Sequence, residues 1–260
     1  MDLNYVFLQI VLFLTAFVAN LLAAFAGGGA GLVQLPILIL FGLQFPVALS
    51  THKIASVFLG IGSCFRHLKE KSLNLKFSIF ILFTGLPGVY FGSKIALEIP
   101  SNISIFMLGV LTILIGLYSL NNKNLGIYKE KFKKNLLNLI ICGFGLFAIG
   151  FINGSLSSGT GLFVTLWLVK SLGMPYDIAI AHTLVLVGLF WNGAGAITLS
   201  FSGKIMIEWL PTLILGSFIG GLIGSHLSIK SSNYLVKKVF EFVSILMGLS
   251  LILRSALIVL

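Results

Sequence analysis

The chain of 260 residues is 58% hydrophobic and only 9% charged, with a mean hydropathy of +1.09 and a formal net charge of +10. Soluble domains carry about 25% charged residues, so this composition excludes a soluble enzyme and a disordered chain, and two cysteines exclude a disulfide scaffold. An all-α, polytopic integral membrane protein remains, and the basic excess does not indicate nucleic acid, because Lys and Arg sit in short loops between apolar runs rather than in an aromatic-interleaved patch.

No Asp, Glu, Lys or Arg occurs between Leu3 and His52. The first apolar run, 5–25, follows Met1-Asp2-Leu3-Asn4, which lacks a positive n-region; it reads as a membrane span rather than a signal peptide. The small-residue stretch Ala26-Gly27-Gly28-Gly29-Ala30-Gly31 precedes a short apolar run, 31–43, that ends at the break Gly42-Leu43-Gln44-Phe45-Pro46. Full-length runs follow at 47–66, 76–96 and 102–120, and then at 136–153. A second small-residue stretch, Asn153 to Gly161, precedes the short run 160–172 and the break Gly173-Met174-Pro175-Tyr176-Asp177. The remaining full-length runs are 177–198, 206–226 and 239–254, which makes 8–10 membrane segments in all. Gly and Pro at the breaks free backbone groups, which the bilayer tolerates only where the backbone is buried in protein or lines a wet cavity. Broken or re-entrant helices are therefore expected at both places.

The two halves match in order. Gly29-Ala30-Gly31-Leu32 aligns with Gly159-Thr160-Gly161-Leu162 at an offset of 130, and Val47 to His52 aligns with Ile178 to Thr183 at 131. Phe91-Gly92-Ser93-Lys94 aligns with Ile223-Gly224-Ser225-His226 at 132. The expected organisation is a first membrane repeat over 1–120, a basic cytoplasmic linker over 121–135 and a second membrane repeat over 136–260. Basic residues cluster at Arg66, Lys69, Lys71 and Lys76, at Lys123, Lys129, Lys131, Lys133 and Lys134, and at Lys230, Lys237 and Lys238. A parallel duplication would place the third cluster outside, whereas inversion puts all three on the cytoplasmic side. We therefore expect inverted repeats in the inner or plasma membrane with the basic loops cytoplasmic.

The polar residues within the spans single out a site, since ionisable groups there are costly and face cavities. Ser50, Thr51 and His52 follow Pro46, and His182 and Thr183 stand in the equivalent place of the second half. With Pro46 in the first turn of one helix and Asp177 as N-cap of the other, two electropositive helix ends meeting near the midplane would bind an anion. Substrate-binding candidates are Ser50, Thr51, His52, His182 and Thr183, with Gly28, Gly29, Ser158, Gly159 and Thr160 from the glycine turns. Asn153, Ser155 and Ser157 are expected along the pathway, and Gln34 and Asn192 are weaker candidates. His52 and His182 are the proton-coupling candidates, because imidazole changes charge near neutral pH. Lys53 reads either as snorkelling to headgroups or as pairing with Glu241. No cofactor or metal is expected: there is no His-x-x-His or Cys-x-x-Cys spacing. The expected partners are a small anionic substrate and the lipid bilayer, not nucleic acid; a homodimer is compatible with the sequence.

Each half thus carries a glycine-rich turn, a short apolar run, a Gly/Pro break and an Ala/Ser/Thr patch, with a basic loop after the first. Ala26 to His52 with Arg66-His67, and Gly154 to Thr183 with Gly193 to Lys204, resemble the TauE/SafE family of membrane sulfur-anion exporters over about residues 10–252. The resemblance implies a secondary transporter that exports sulfite or an organosulfonate, driven by ion gradients. The patches Ser50-Thr51-His52 and Ala181-His182-Thr183 depart from the family's more frequent Gly-Thr-Ser. Other readings are a permease or channel for another small anion such as a carboxylate, a non-transporting membrane subunit, and an intramembrane hydrolase using Ser157 or Ser158 with His182 as base.

Overall fold

The computed structural model describes residues 3–70, 73–96, 98, 101–128, 136–157, 159–201 and 205–259. They form helices and no strands: α1 (Leu3–Ala26), α2 (Ala30–Leu40), α3 (Phe45–Lys69), α4 (Leu75–Ile95), α5 (Ser101–Asn121), α6 (Leu136–Leu156), α7 (Thr160–Leu172) and α8 (Tyr176–His182). A π-helical segment, Thr183–Trp191, joins α8 to α9 (Asn192–Ser200), and a short 3-10 turn, Ile207–Trp209, leads into α10 (Leu210–Lys230) and α11 (Asn233–Val259). Six described helical stretches are long and apolar enough to cross a bilayer, counting α8 through α9 as one rod of 25 residues. The chain is a multi-pass helical membrane protein. Large apolar side chains such as Phe83, Phe144 and Phe201 project outward, where lipid rather than water solvates them.

The helices pack through small residues, because inside lipid a close backbone approach replaces the hydrophobic effect as the source of association. In α10, Gly216, Gly220 and Gly224 lie against α1; a Cβ at Gly220 would fall 2.5 Å from the carbonyl oxygen of Phe17, and one at Gly224 2.4 Å from that of Leu21. In α4, a Cβ at Gly88 would fall 2.2 Å from the carbonyl oxygen of Phe147 in α6, and one at Gly92 2.0 Å from that of Phe151. The fourth helix of each half thus packs on the first helix of the other half. At the centre α3 crosses the π-helical segment at Gly60 and Gly188, backbone on backbone.

The two short helices do not span. Gly27, Gly28 and Gly29 all have positive φ (92°, 127° and 100°), which turns the chain between α1 and α2. The corresponding turn between α6 and α7 holds Ser157 (φ 59°) and Gly159 (φ 73°). The 11 residues of α2 and the 13 of α7 rise about 16 and 20 Å at 1.5 Å per residue, too little to cross the hydrocarbon layer. Their N-terminal turns are buried in the interior of the bundle.

Candidate functional site

These interior turns meet. A Cβ at Gly28 would lie 2.5 Å from the backbone of Gly161, and one at Gly161 2.7 Å from the Cα of Gly28. Beside this crossing lies a polar cavity of about 30 Å³, room for a few waters or one compact ion. Its wall comes from both halves of the chain: Gly28 to Gly31 at the start of α2, His52 and Ser56 on α3, Asn153 on α6, Ser157, Thr160 and Gly161 at the start of α7, Thr183 on the π-helical segment and Asn192 on α9. Leu59, Leu184 and Val187 close the apolar side. No carboxylate lines it. The positive ends of the α2 and α7 dipoles face it.

The polar wall is held by directed hydrogen bonds. Lys53, wholly buried, donates from Nζ to Oδ1 of Asn153 (3.1 Å) and Oδ1 of Asn192 (3.5 Å). Asn153 Nδ2 donates to Thr160 Oγ1 (2.8 Å), whose hydroxyl donates to the Ser157 carbonyl oxygen (3.0 Å). His52 Nδ1 lies 3.2 Å from Gln34 Oε1, and its Nε2 lies 3.2 Å from Ser56 Oγ. With Gln34 Oε1 as an acceptor, the tautomer that fits carries its proton on Nδ1 and accepts the Ser56 hydroxyl at Nε2. Gln34 Oε1 also accepts from Asn20 Nδ2 (3.3 Å), which bonds Ser217 Oγ as well (3.0 Å). Thr165 Oγ1 bridges the Gly27 carbonyl oxygen (2.7 Å) and Thr183 Oγ1 (2.9 Å), tying the first glycine turn to the π-helical segment. Ser157 in the left-handed region is the one non-glycine described residue at positive φ, and strain of this kind collects at binding sites.

Of the expected site residues, the structure brings Gly28, Gly29, His52, Thr160 and Thr183 to the cavity. Gly159 caps α7 directly behind it, against Leu32, and Ser158 lies outside the described residues. Ser50, Thr51 and His182 are elsewhere. Ser50 Oγ bonds the carbonyls of Pro46 and Val47 on its own helix. Thr51 Oγ1 donates to the Val47 carbonyl oxygen and accepts from the Met206 N–H (3.0 Å). His182 Nδ1 contacts the Ile178 carbonyl oxygen (2.9 Å), and its Nε2 accepts from the Asn74 N–H (3.1 Å) at the start of α4. The expectation of one pocket shared by both histidines is therefore corrected: neighbouring residues on a helix point about 100° apart, so a rod that turns Thr183 inward turns His182 away.

Three further expectations change. The helix ends facing the cavity are those of α2 and α7, not of α3 and α8, because the glycine turns rather than the Gly/Pro breaks lie in the interior. Pro46 does occupy the first turn of α3, but Pro175, not Asp177, caps α8; the Asp177 N–H bonds Asn233 Oδ1 (2.9 Å). Lys53 neither snorkels nor meets Glu241, which pairs with Lys237. Both nitrogens of His182 are engaged away from Ser157, so no serine–histidine pair forms there. Ser56 was not anticipated, although it stands one turn after His52 on the same face. Gln34 and Asn192, weaker candidates by sequence, hold the histidine and the lysine.

Comparison with known proteins now adds to this geometry. A protein of Haemophilus influenzae described as "Probable membrane transporter protein" is 29% identical over 240 residues, 91% of each chain. "Probable membrane transporter protein ORF9" of Sinorhizobium is 27% identical over 242 residues, 93% of this chain and 91% of its own. "Probable membrane transporter protein YfcA" of Escherichia coli K12 is 27% identical over 248 residues, 94% of this chain and 90% of its own. No solved structure matches the chain. The family model described as "Sulfite exporter TauE/SafE" matches residues 12–251, nearly the whole helical bundle with both glycine turns and the cavity between them. The chain belongs to the TauE/SafE family of membrane transporters.

Proposed function

We propose that this chain is a secondary transporter that exports a small oxyanion, sulfite or an organosulfonate, across the plasma membrane, and that the anion occupies the cavity between the two glycine turns. One observation carries the reading: a cavity inside an apolar bundle, walled from both halves by hydroxyl, amide and imidazole groups and two helix N-termini, and by no acid. A cation site would need carboxylate or carbonyl oxygens directed inward, whereas oxyanions take several converging donors at once. The sulfur chemistry and the outward direction rest on the family's description.

In this reading the two repeats are inverted, and alternating access rocks one against the other around the cavity. The contacts support such a pairing. Gly88 on Phe147 and Gly220 on Phe17 are the same contact made twice, at offsets of 132 and 130. Thr51 receives the N–H of Met206 just before the 3-10 turn and α10, and His182 receives that of Asn74 just before α4, again at 131 and 132. His52 and Thr183, also equivalent at 131, both line the cavity. The basic loops lie on the cytoplasmic side.

The test is a proteoliposome panel of sulfite, methanesulfonate, acetate and a sodium control. Sulfite or methanesulfonate flux dependent on the protein is the expected result, and acetate alone moving would leave an anion transporter with another substrate. Flux of cations with no anion moving would overturn the reading. His52 is the proton-coupling residue that faces the cavity. An anion bound beside the ring would favour its protonated form, so any rise of uptake as pH falls should be flattened by His52→Gln. His182→Gln should leave it in place, since the His182 ring is held against Asn74 at the start of α4 and away from the cavity; the pH profile of uptake for the two variants decides this.

A further inference from the structure

The site described above contains a buried lysine with no acid beside it. Lys53 is wholly buried, and its Nζ meets only the amide oxygens of Asn153 and Asn192. Among the described residues every ion pair lies elsewhere: Arg66 with Glu70, and Lys237 and Lys238 with Glu241. The other described carboxylates are also remote in the fold. Glu98 follows α4, Asp177 begins α8 beside Asn233, and Glu208 sits exposed in the 3-10 turn before α10. The aliphatic stem of Lys53 lies against Gly195, where a Cβ would come within 2.9–3.0 Å of Cδ, Cε and Nζ, so the side chain is held rather than free to seek a headgroup. A lysine buried without a counter-charge is costly to keep ionised, and an anion bound beside it would favour its charged form.

The placement indicates what the use is. Nζ stands one layer behind the cavity wall, and the two amides it touches are themselves wall residues. The lysine takes an oxygen of each amide, and the Asn153 Nδ2 group donates to Thr160 Oγ1 at the cavity's edge (2.8 Å) and lies 3.5 Å from Asn192 Oδ1, so both wall amides are held in one network around Nζ. A lysine nitrogen thus stands directly behind two wall residues of a space of about 30 Å³ with no acid in its lining, close enough for its charge to act there through a low-dielectric interior.

We propose that Lys53 is the charge-selecting residue of the site, so that the cavity takes a singly charged anion and discriminates against neutral and doubly charged molecules of the same shape. This rests on the anion reading of the cavity given above. A monoanion neutralises the ammonium and leaves the pair with no net charge in a low-dielectric interior. A dianion leaves one negative charge unbalanced there, and a neutral molecule leaves the ammonium as it was.

The probes are methanesulfonate, sulfate and dimethyl sulfone, which share a tetrahedral sulfur and carry one, two and no negative charges. Titration calorimetry on the full-length protein in lipid nanodiscs should give methanesulfonate the highest affinity. Lys53→Met, which keeps the length of the side chain, should weaken methanesulfonate by roughly 30-fold or more, the cost of truncating one member of a buried charge pair. A thermal melt of the same variant without ligand reports whether it is folded, since the substitution also takes the donor from Asn153 Oδ1. Methanesulfonate binding within threefold of wild type by a folded Lys53→Met protein overturns the proposal while leaving the anion site intact. Should that variant not fold, wild type alone decides, since sulfate or dimethyl sulfone binding as well as methanesulfonate overturns it equally. Wild type that binds neither these probes nor sulfite refutes the anion reading as well.

Discussion

Gly28→Ala should abolish transport and strongly destabilise the protein. Two penalties fall on one residue. Its φ of 127° is a conformation that residues with a Cβ adopt only under strain, at about 1–3 kcal/mol. The new methyl would also lie 2.5 Å from the Gly161 backbone, which cannot move like a flexible side chain because Gly161 sits in the first turn of α7 with the cavity beside it; overpacking of that kind adds about 1–3 kcal/mol. Two companions separate the terms. Gly42→Ala has a similar φ of 93° but nothing within 4 Å of its Cβ, so it should carry only the backbone penalty and leave flux near wild type. Gly161→Ala has helical backbone and meets the Cα of Gly28 at 2.7 Å, so it should carry only the contact penalty and still cut flux, because it wedges the two turns apart. Thermal midpoints in detergent together with sulfite flux give the comparison. A Gly28→Ala protein as stable and as active as Gly42→Ala would show that the turns do not meet as described.

That contrast marks what was legible in the residues and what was not. The helices were, because a run of apolar residues long enough to cross lipid has few other fates; the expected run 47–66 lies within α3, and 160–172 is the span of α7 itself. The glycine turns were legible for the same reason: three consecutive glycines inside an apolar stretch have no use in a straight helix. The ordered recurrence at offsets of 130 to 132 marked Gly29 and Gly159, and His52 and Thr183, as equivalent places, and three of these four residues line the cavity. Rotation about a helix axis was not legible. Positions 51 and 52 both recur as polar residues at 182 and 183, and a spacing that holds for a pair cannot say which member faces inward. The nine π-helical residues from Thr183 to Trp191 compound this, since a wider turn shifts the face presented by everything after it, including Asn192. Nor could the partner of Lys53 be read from spacing, because whether a buried cation finds an acid is decided by which helices touch.

The contact that Lys53 lacks, a carboxylate beside a buried lysine, is present elsewhere in the molecule. Lys237 and Glu241, one turn apart on α11, are both buried and form an ion pair. Lys237 Nζ also donates to the Ser119 carbonyl oxygen (2.7 Å), and Ser119 Oγ donates to Glu241 Oε1 (3.1 Å) and lies 3.1 Å from the Tyr176 hydroxyl. The cluster ties α5 and α11 to the first residue of α8, the rod that carries Thr183 to the cavity. Glu241→Leu leaves Lys237 buried with only a carbonyl for company, and should cost about 3–5 kcal/mol. Lys237→Met should cost less, because the carboxylate keeps the Ser119 hydroxyl and has the half-exposed Lys238 at 3.8 Å. The double variant removes both charges and should recover most of the loss, within about 1–2 kcal/mol of wild type, since an apolar pair of similar volume replaces a desolvated ion pair at little cost. Thermal unfolding of the four proteins in the same detergent measures the coupling directly. A double variant as unstable as the sum of its singles would mean that the charges act independently. In the pair, then, each charge needs its neighbour and losing one weakens the fold; at Lys53 the neighbour we propose is the ligand, and losing the charge weakens binding.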